Sequence, residues 1–168
     1  FADPRTREEL GLVLEGPLTD EQLFNDNRQT MAREDGVIRF TARRVQPEEL
    51  APVQLPVEDP AVVEWLKPSR FVQSDNPALV ARAREIVGDE RDSLDVSRLL
   101  CEWVYRNVRT TFSAQLTNAL EVLNTLEGDC TEHSILFIGL ARAAGLPARE
   151  VAGLIYVATP EPGFYFHQ

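Results

Sequence analysis

From Ile135 to Ala144 the chain is apolar on nearly every turn, with Ile135, Leu136, Phe137, Ile138 and Leu140 in close succession and Arg142 as the single charge. A helix of that composition has no solvent face, so it belongs in the middle of a domain with other elements wrapped around it. It is too short to cross a bilayer and is interrupted by Gly139 and Arg142. Gly128-Asp129-Cys130 leads into it, and Gly145 followed by Pro147 is the punctuation expected where a helix stops. The fold must therefore be built around this segment, and the segment begins with a cysteine.

The wrapping elements can be read on either side. Asp75-Asn76-Pro77 supplies a cap and a proline at the first helical position, and the helix it opens runs to Val87 before Gly88. Leu79, Ala83, Ile86 and Val87 share its apolar face. A second helix starts near Asp92-Ser93 and runs to about Val108, with Val96, Leu99, Leu100, Trp103, Val104 and Val108 as a broad apolar stripe. Cys101 lies at the edge of that stripe and reads as a partly buried structural thiol. A short helical piece covers Asn118 to Leu123. After the cysteine helix, Glu150 to Ala158 is β-branched and apolar and reads as a core strand. Pro160-Glu161-Pro162-Gly163 then turns the chain into a second strand, Phe164-Tyr165-Phe166-His167.

The front of the chain has a different texture. Leu10 to Leu14 and Gly36 to Ala42 read as strands bounded by turn chemistry such as Glu34-Asp35-Gly36. Pro47, Pro52, Pro56, Pro60 and Pro68 space out a connector, with a helical turn at Ala61 to Leu66. The expected division is a β-rich N-terminal region and linker over residues 1–70, then a mixed core over 71–168.

Length and charge bound the function. The 168 residues, 43% of them apolar, suffice for one large or two small domains. A net charge of −10, from 17 basic and 27 acidic residues, argues against nucleic acid as a partner and against an anionic membrane surface. Lys67 is the sole lysine among the basic residues, a bias typical of a GC-rich bacterial genome. Two cysteines at this length do not form a disulfide framework, so thiol usage does not define a compartment. The chain starts at Phe1 rather than methionine, which fits a mature or excised piece of an exported parent protein.

Chemistry concentrates at Gly128-Asp129-Cys130-Thr131-Glu132-His133-Ser134. A thiol attacks a carbonyl as the thiolate, and free cysteine, with a pKa of about 8.5, is mostly protonated at neutral pH. The unpaired N–H groups and positive dipole end of a helix start favour the anion, as does a nearby imidazolium. The backbone N–H of Cys130 is then a candidate oxyanion donor. His167, beyond the predicted strand, is a candidate acid and base; it also fits an exposed strand residue. His133, one turn from Cys130, is close enough to touch it but badly placed to straddle a substrate, which favours a supporting role. Asp129 reads as an N-cap or first-turn acid. Cys130, Glu132, His133 and His167 could alternatively ligate zinc, although no paired closing motif accompanies them. Gln115 is a remote candidate for a second oxyanion donor.

The run from Gly128 to Ser134, continued by Leu140-Ala141-Arg142-Ala143-Ala144-Gly145-Leu146-Pro147-Ala148-Arg149 and later Phe164-Tyr165-Phe166-His167, resembles the catalytic core of bacterial transglutaminase-like proteins. The lead-in with Trp103-Val104-Tyr105 is also similar, so the resemblance covers about residues 70 to 168. It implies an α+β, transglutaminase-like (papain-like) core in which a buried Cys-bearing helix packs on an antiparallel sheet, preceded by a small β-rich region. It implies Cys130 as nucleophile and His167 as general base and acid. The family's third group is an aspartate on the next strand, which would lie past Gln168; on that reading the chain is a core truncated at its C-terminal end. The implied activity is thiol-dependent acyl transfer on amide bonds, with peptide or amide hydrolysis ahead of protein cross-linking. A protein-interaction domain that keeps the fold without catalysis is the other class. The partner implied is a protein or peptide substrate, with no cofactor and no metal required.

Overall fold

The structure is a computed structural model that describes residues 6–46, 49–111, 117–158 and 160–168. The chain divides into two compact units, Phe1–Ala51 and Pro52–Gln168.

The first unit is a three-stranded antiparallel sheet of β1 (Glu9–Leu14), β2 (Gln29–Glu34) and β3 (Val37–Arg43), in the order β1-β3-β2. Central β3 pairs Phe40 with Leu12 on one side and with Met31 on the other, and its Ile38 is buried. The β2–β3 hairpin closes through Asp35 and Gly36, both at positive φ (51° and 80°), the two-residue turn whose twist matches the strands. β2 is absent from the sequence expectation. Its Gln-Thr-Met-Ala-Arg-Glu run lacks alternating apolar residues, and none of its six positions is buried deeply enough to have required them.

The second unit is helical at its centre. Helices α1 (Pro77–Val87), α2 (Ser93–Asn107) and α3 (Ala119–Thr125) all pack against α4 (Cys130–Ala143). Leu79, Val96, Leu100, Val122, Leu136 and Leu140 form the core where they meet. The starts of the helices follow from local capping: Asn76 accepts from Ala78 N–H, Asp92 from the N–H groups of Leu94 and Asp95, and Asn118 from Glu121 N–H. Helices α3 and α4 approach closely because residue 139 is glycine; a Cβ there would sit 2.9 Å from Ala119 Cβ.

The proline-rich connector is part of this unit. Val53 N–H donates to Ser93 Oγ at 3.0 Å, Leu55 N–H to the Arg91 carbonyl at 2.9 Å, and Val57 N–H to the Gly145 carbonyl at 3.0 Å. A short 3-10 turn follows at Val63–Leu66. Arg142 then ties three segments together: Nε donates to the Ala148 carbonyl at 2.8 Å and Nη1 to the Lys67 carbonyl at 2.7 Å. Its partial burial pulls the guanidinium below its ordinary pKa.

Two expectations need correction. Cys101 is exposed, because the buried positions of α2 are Ser93, Val96, Leu100 and Val104, a narrower face than the sequence stripe suggests. The strand β6 (Gly153–Val157) is shorter than Glu150 to Ala158 and is not a core strand. Among the described residues it pairs with β7 (Gly163–His167) alone, and Leu154 and Phe166 stay 70% and 69% exposed. Apolar, β-branched composition earns a strand its conformation, but burial requires a second layer above it.

Candidate active site

The approach to Cys130 is fixed by a short parallel pairing of β4 (Arg109–Thr110) with β5 (Glu127–Gly128). Arg109 N–H donates to the Leu126 carbonyl at 2.8 Å and Thr111 N–H to the Gly128 carbonyl at 2.9 Å, while the Arg109 and Glu127 side chains pair at 2.6 Å. The chain then turns directly into α4. No side chain fits at Gly128, since a Cβ there would overlap the Cβ and Cγ of Glu132.

That turn is locked by a reciprocal cap. The Asp129 carboxylate accepts from Thr131 N–H at 2.9 Å, and Asp129 N–H donates to Glu132 Oε2 at 2.8 Å. The Thr131 backbone bond outweighs the cost of partial burial and holds the Asp129 carboxyl below the usual carboxylate range. Glu132, only 5% exposed, is the one buried carboxylate in the described core. Glu132, a candidate zinc ligand from its residue type, is a capping residue instead, and the Asp-x-x-Glu spacing ahead of an apolar run is the sequence signal for that role.

Cys130 is the first helical residue, half-buried, and its N–H has no intrahelical acceptor. His133 is also half-buried, and its Nδ1 lies 2.6 Å from the Asp129 carbonyl oxygen, which its own backbone N–H also reaches at 3.1 Å. His167 stands at the end of β7 and is exposed. Its neighbour Gln168 accepts a hydrogen bond at 2.6 Å from the hydroxyl of Thr131, the residue after Cys130. The end of the histidine strand thus meets the first turn of the cysteine helix, with one bond joining the residues that follow each. Gln168 was not singled out in the sequence, because only the fold brings it there.

Two hollows flank α4 from this turn. One, of about 620 Å3, takes in His133, Phe137, Arg149 and Gln168, with Cys101 and Tyr105 across from them on α2. The other, of about 420 Å3, takes in Thr131, Ile135, Trp65 and Arg142. Among the described residues no cluster of three His, Cys, Asp or Glu side chains is arranged to hold a metal. Gln115 lies outside the described residues.

Comparison with known proteins bears on the family and the fold. The sequence model of the transglutaminase-like superfamily matches residues 80–167, more than half of the chain and inclusive of Cys130 and His167. The chain belongs to the transglutaminase-like superfamily. An uncharacterized protein of Haemophilus influenzae is 30% identical over 109 residues, which cover 62% of this chain and 29% of that protein. A crystal structure from Cytophaga hutchinsonii, described as a putative cysteine protease, matches with a TM-score of 0.59 at 21% identity, over 95% of this chain and 59% of the other. The fold is shared with that protein, and the chain spans less than two thirds of either relative. The mixed helix-and-strand class and the family expected from the sequence are both borne out.

Proposed function

We propose that Cys130 is the nucleophile of a thiol acyl-transfer site that hydrolyses peptide or amide bonds, with His167 as its proton carrier. The reading is carried by one observation: a half-buried cysteine occupies the first position of α4 and the strand bearing His167 ends against the same turn.

The chemistry follows in two stages. The Cys130 thiolate attacks the amide carbon; an S–C bond forms and the carbonyl π pair moves onto oxygen, where the Cys130 N–H meets it. Collapse of that oxyanion breaks the C–N bond, and the leaving amine takes a proton from the His167 imidazolium. A thioester remains. Neutral His167 then accepts a proton from water as the water oxygen attacks the thioester. The second oxyanion expels the thiolate and releases a carboxylic acid, leaving the protein as it began. An amine in place of that water would give transamidation instead.

Cys101 provides an internal control, since it is a free and more exposed thiol in the same molecule. Iodoacetamide at neutral pH, with site occupancy read by peptide mass spectrometry, is expected to alkylate Cys130 roughly tenfold faster than Cys101, as an activated thiolate would. Cys130→Ser should abolish hydrolysis of peptide and amide substrates while leaving thermal unfolding unchanged. Equal labelling of the two cysteines, or hydrolysis that survives the serine variant, would refute the proposal.

A further inference from the structure

His133 is left without a task by the mechanism above, yet its ring is held in a specific way. Its Nδ1 lies 2.6 Å from the Asp129 carbonyl oxygen. A carbonyl oxygen can only accept, so the partner assigns the proton to Nδ1, whether the ring is neutral or protonated. In the neutral form the lone pair is then on Nε2.

The carbonyl in question belongs to the peptide group that joins Asp129 to Cys130, and the N–H of that group is the candidate oxyanion donor. A trans peptide is planar, with its C=O and N–H pointing in opposite directions. A donor on the carbonyl side therefore fixes the direction of the N–H on the other side. It also polarises the amide and strengthens that N–H as a donor, as happens along any chain of hydrogen bonds. The same carbonyl accepts the His133 backbone N–H at 3.1 Å, so both of its acceptor positions are filled from one residue. On the other side of Asp129, the buried Glu132 carboxylate takes the Asp129 N–H at 2.8 Å and fixes the preceding peptide.

We propose that His133 is a positioning residue for oxyanion stabilisation, acting through the Asp129–Cys130 peptide group rather than on the thiol or the substrate. The inference rests on the reading of Cys130 as nucleophile, and its test separates the two. Acylation of Cys130 by p-nitrophenyl acetate passes through an oxyanion; alkylation by iodoacetamide does not. His133→Ala should slow acylation on the order of tenfold, less than the ~10²–10³-fold loss on deleting an oxyanion donor outright, and should leave the alkylation rate within about twofold. His133→Asn, whose amide N–H can replace Nδ1–H, should recover most of the acylation rate. Nitrogen-15 NMR of the unmodified protein should place the neutral His133 proton on Nδ1.

Four results would overturn the proposal: an Nε2–H tautomer, equal losses in the alanine and asparagine variants, parallel falls in acylation and alkylation, or acylation of His133→Ala at the wild-type rate. Failure of the nucleophile reading has a different signature, namely a Cys130 that is alkylated no faster than Cys101 in the unmodified protein, and the tautomer measurement stands apart from both rates.

Discussion

Gly128 and Asp129 show how much of the site is decided by two residues ahead of the nucleophile. A methyl group at 128 would overlap the Glu132 side chain, whose carboxylate is already committed to Asp129 N–H. Gly128→Ala is therefore expected to destabilise the protein by about 1–3 kcal/mol, the usual cost of overpacking, in urea denaturation. The Asp129 carboxyl has a folded pKa below its unfolded value of 3.8. Its contribution to stability is thus complete above that value and is lost as pH falls below it through the folded pKa. Asp129→Asn keeps a capping side chain but cannot titrate. The difference in urea midpoint between wild type and this variant should be constant near neutrality and shrink below pH 3.8; a difference that stays constant on acidification would contradict the assignment.

At the scale of elements, helix starts were legible from sequence because a cap is local. Asn76-Pro77, Asp92-Ser93 and Asn118 announce α1, α2 and α3 without reference to anything distant. The entry of Gly128-Asp129-Cys130 into α4 was legible for the same reason. What depends on tertiary neighbours was not. Cys101 looked half-covered until the packing of α2 defined its buried face, and β2 pairs through backbone bonds that its polar side chains do not advertise. The meeting of β7 with the first turn of α4 was not legible either, since no spacing rule brings the two together. The β6–β7 hairpin carries this lesson into a prediction. Leu154 and Phe166 are direct cross-strand partners, both well exposed, on a hairpin whose described residues form no third strand. Leu154→Lys with Phe166→Glu should keep the pairing through opposite charges, lower self-association in light scattering and leave the melting temperature unchanged. A large fall in melting temperature would mean that these side chains are covered.

At the scale of the whole molecule, the division after Ala51 assigns the proline-rich connector from Pro52 onward to the helical unit rather than to the sheet before it. Residues 52–168 should therefore fold alone, with the helical signal of the full chain and a melting temperature within about 4 °C of it, a shift that corresponds to ~1 kcal/mol. Loss of cooperative unfolding in that fragment would show the division to be wrong. The acidic charge belongs to this scale too, and sets solubility rather than fold.

The Thr131–Gln168 bond has a consequence for how firmly Gln168 is held. It is a hydroxyl-to-amide contact between half-buried residues, and a neutral bond of this kind nets about 1 kcal/mol, so thermal motion alone would break it roughly one-sixth of the time. So weak a contact registers the last residue of the chain against the first turn of α4 without pinning it there, while the pairing with β6 holds the strand itself.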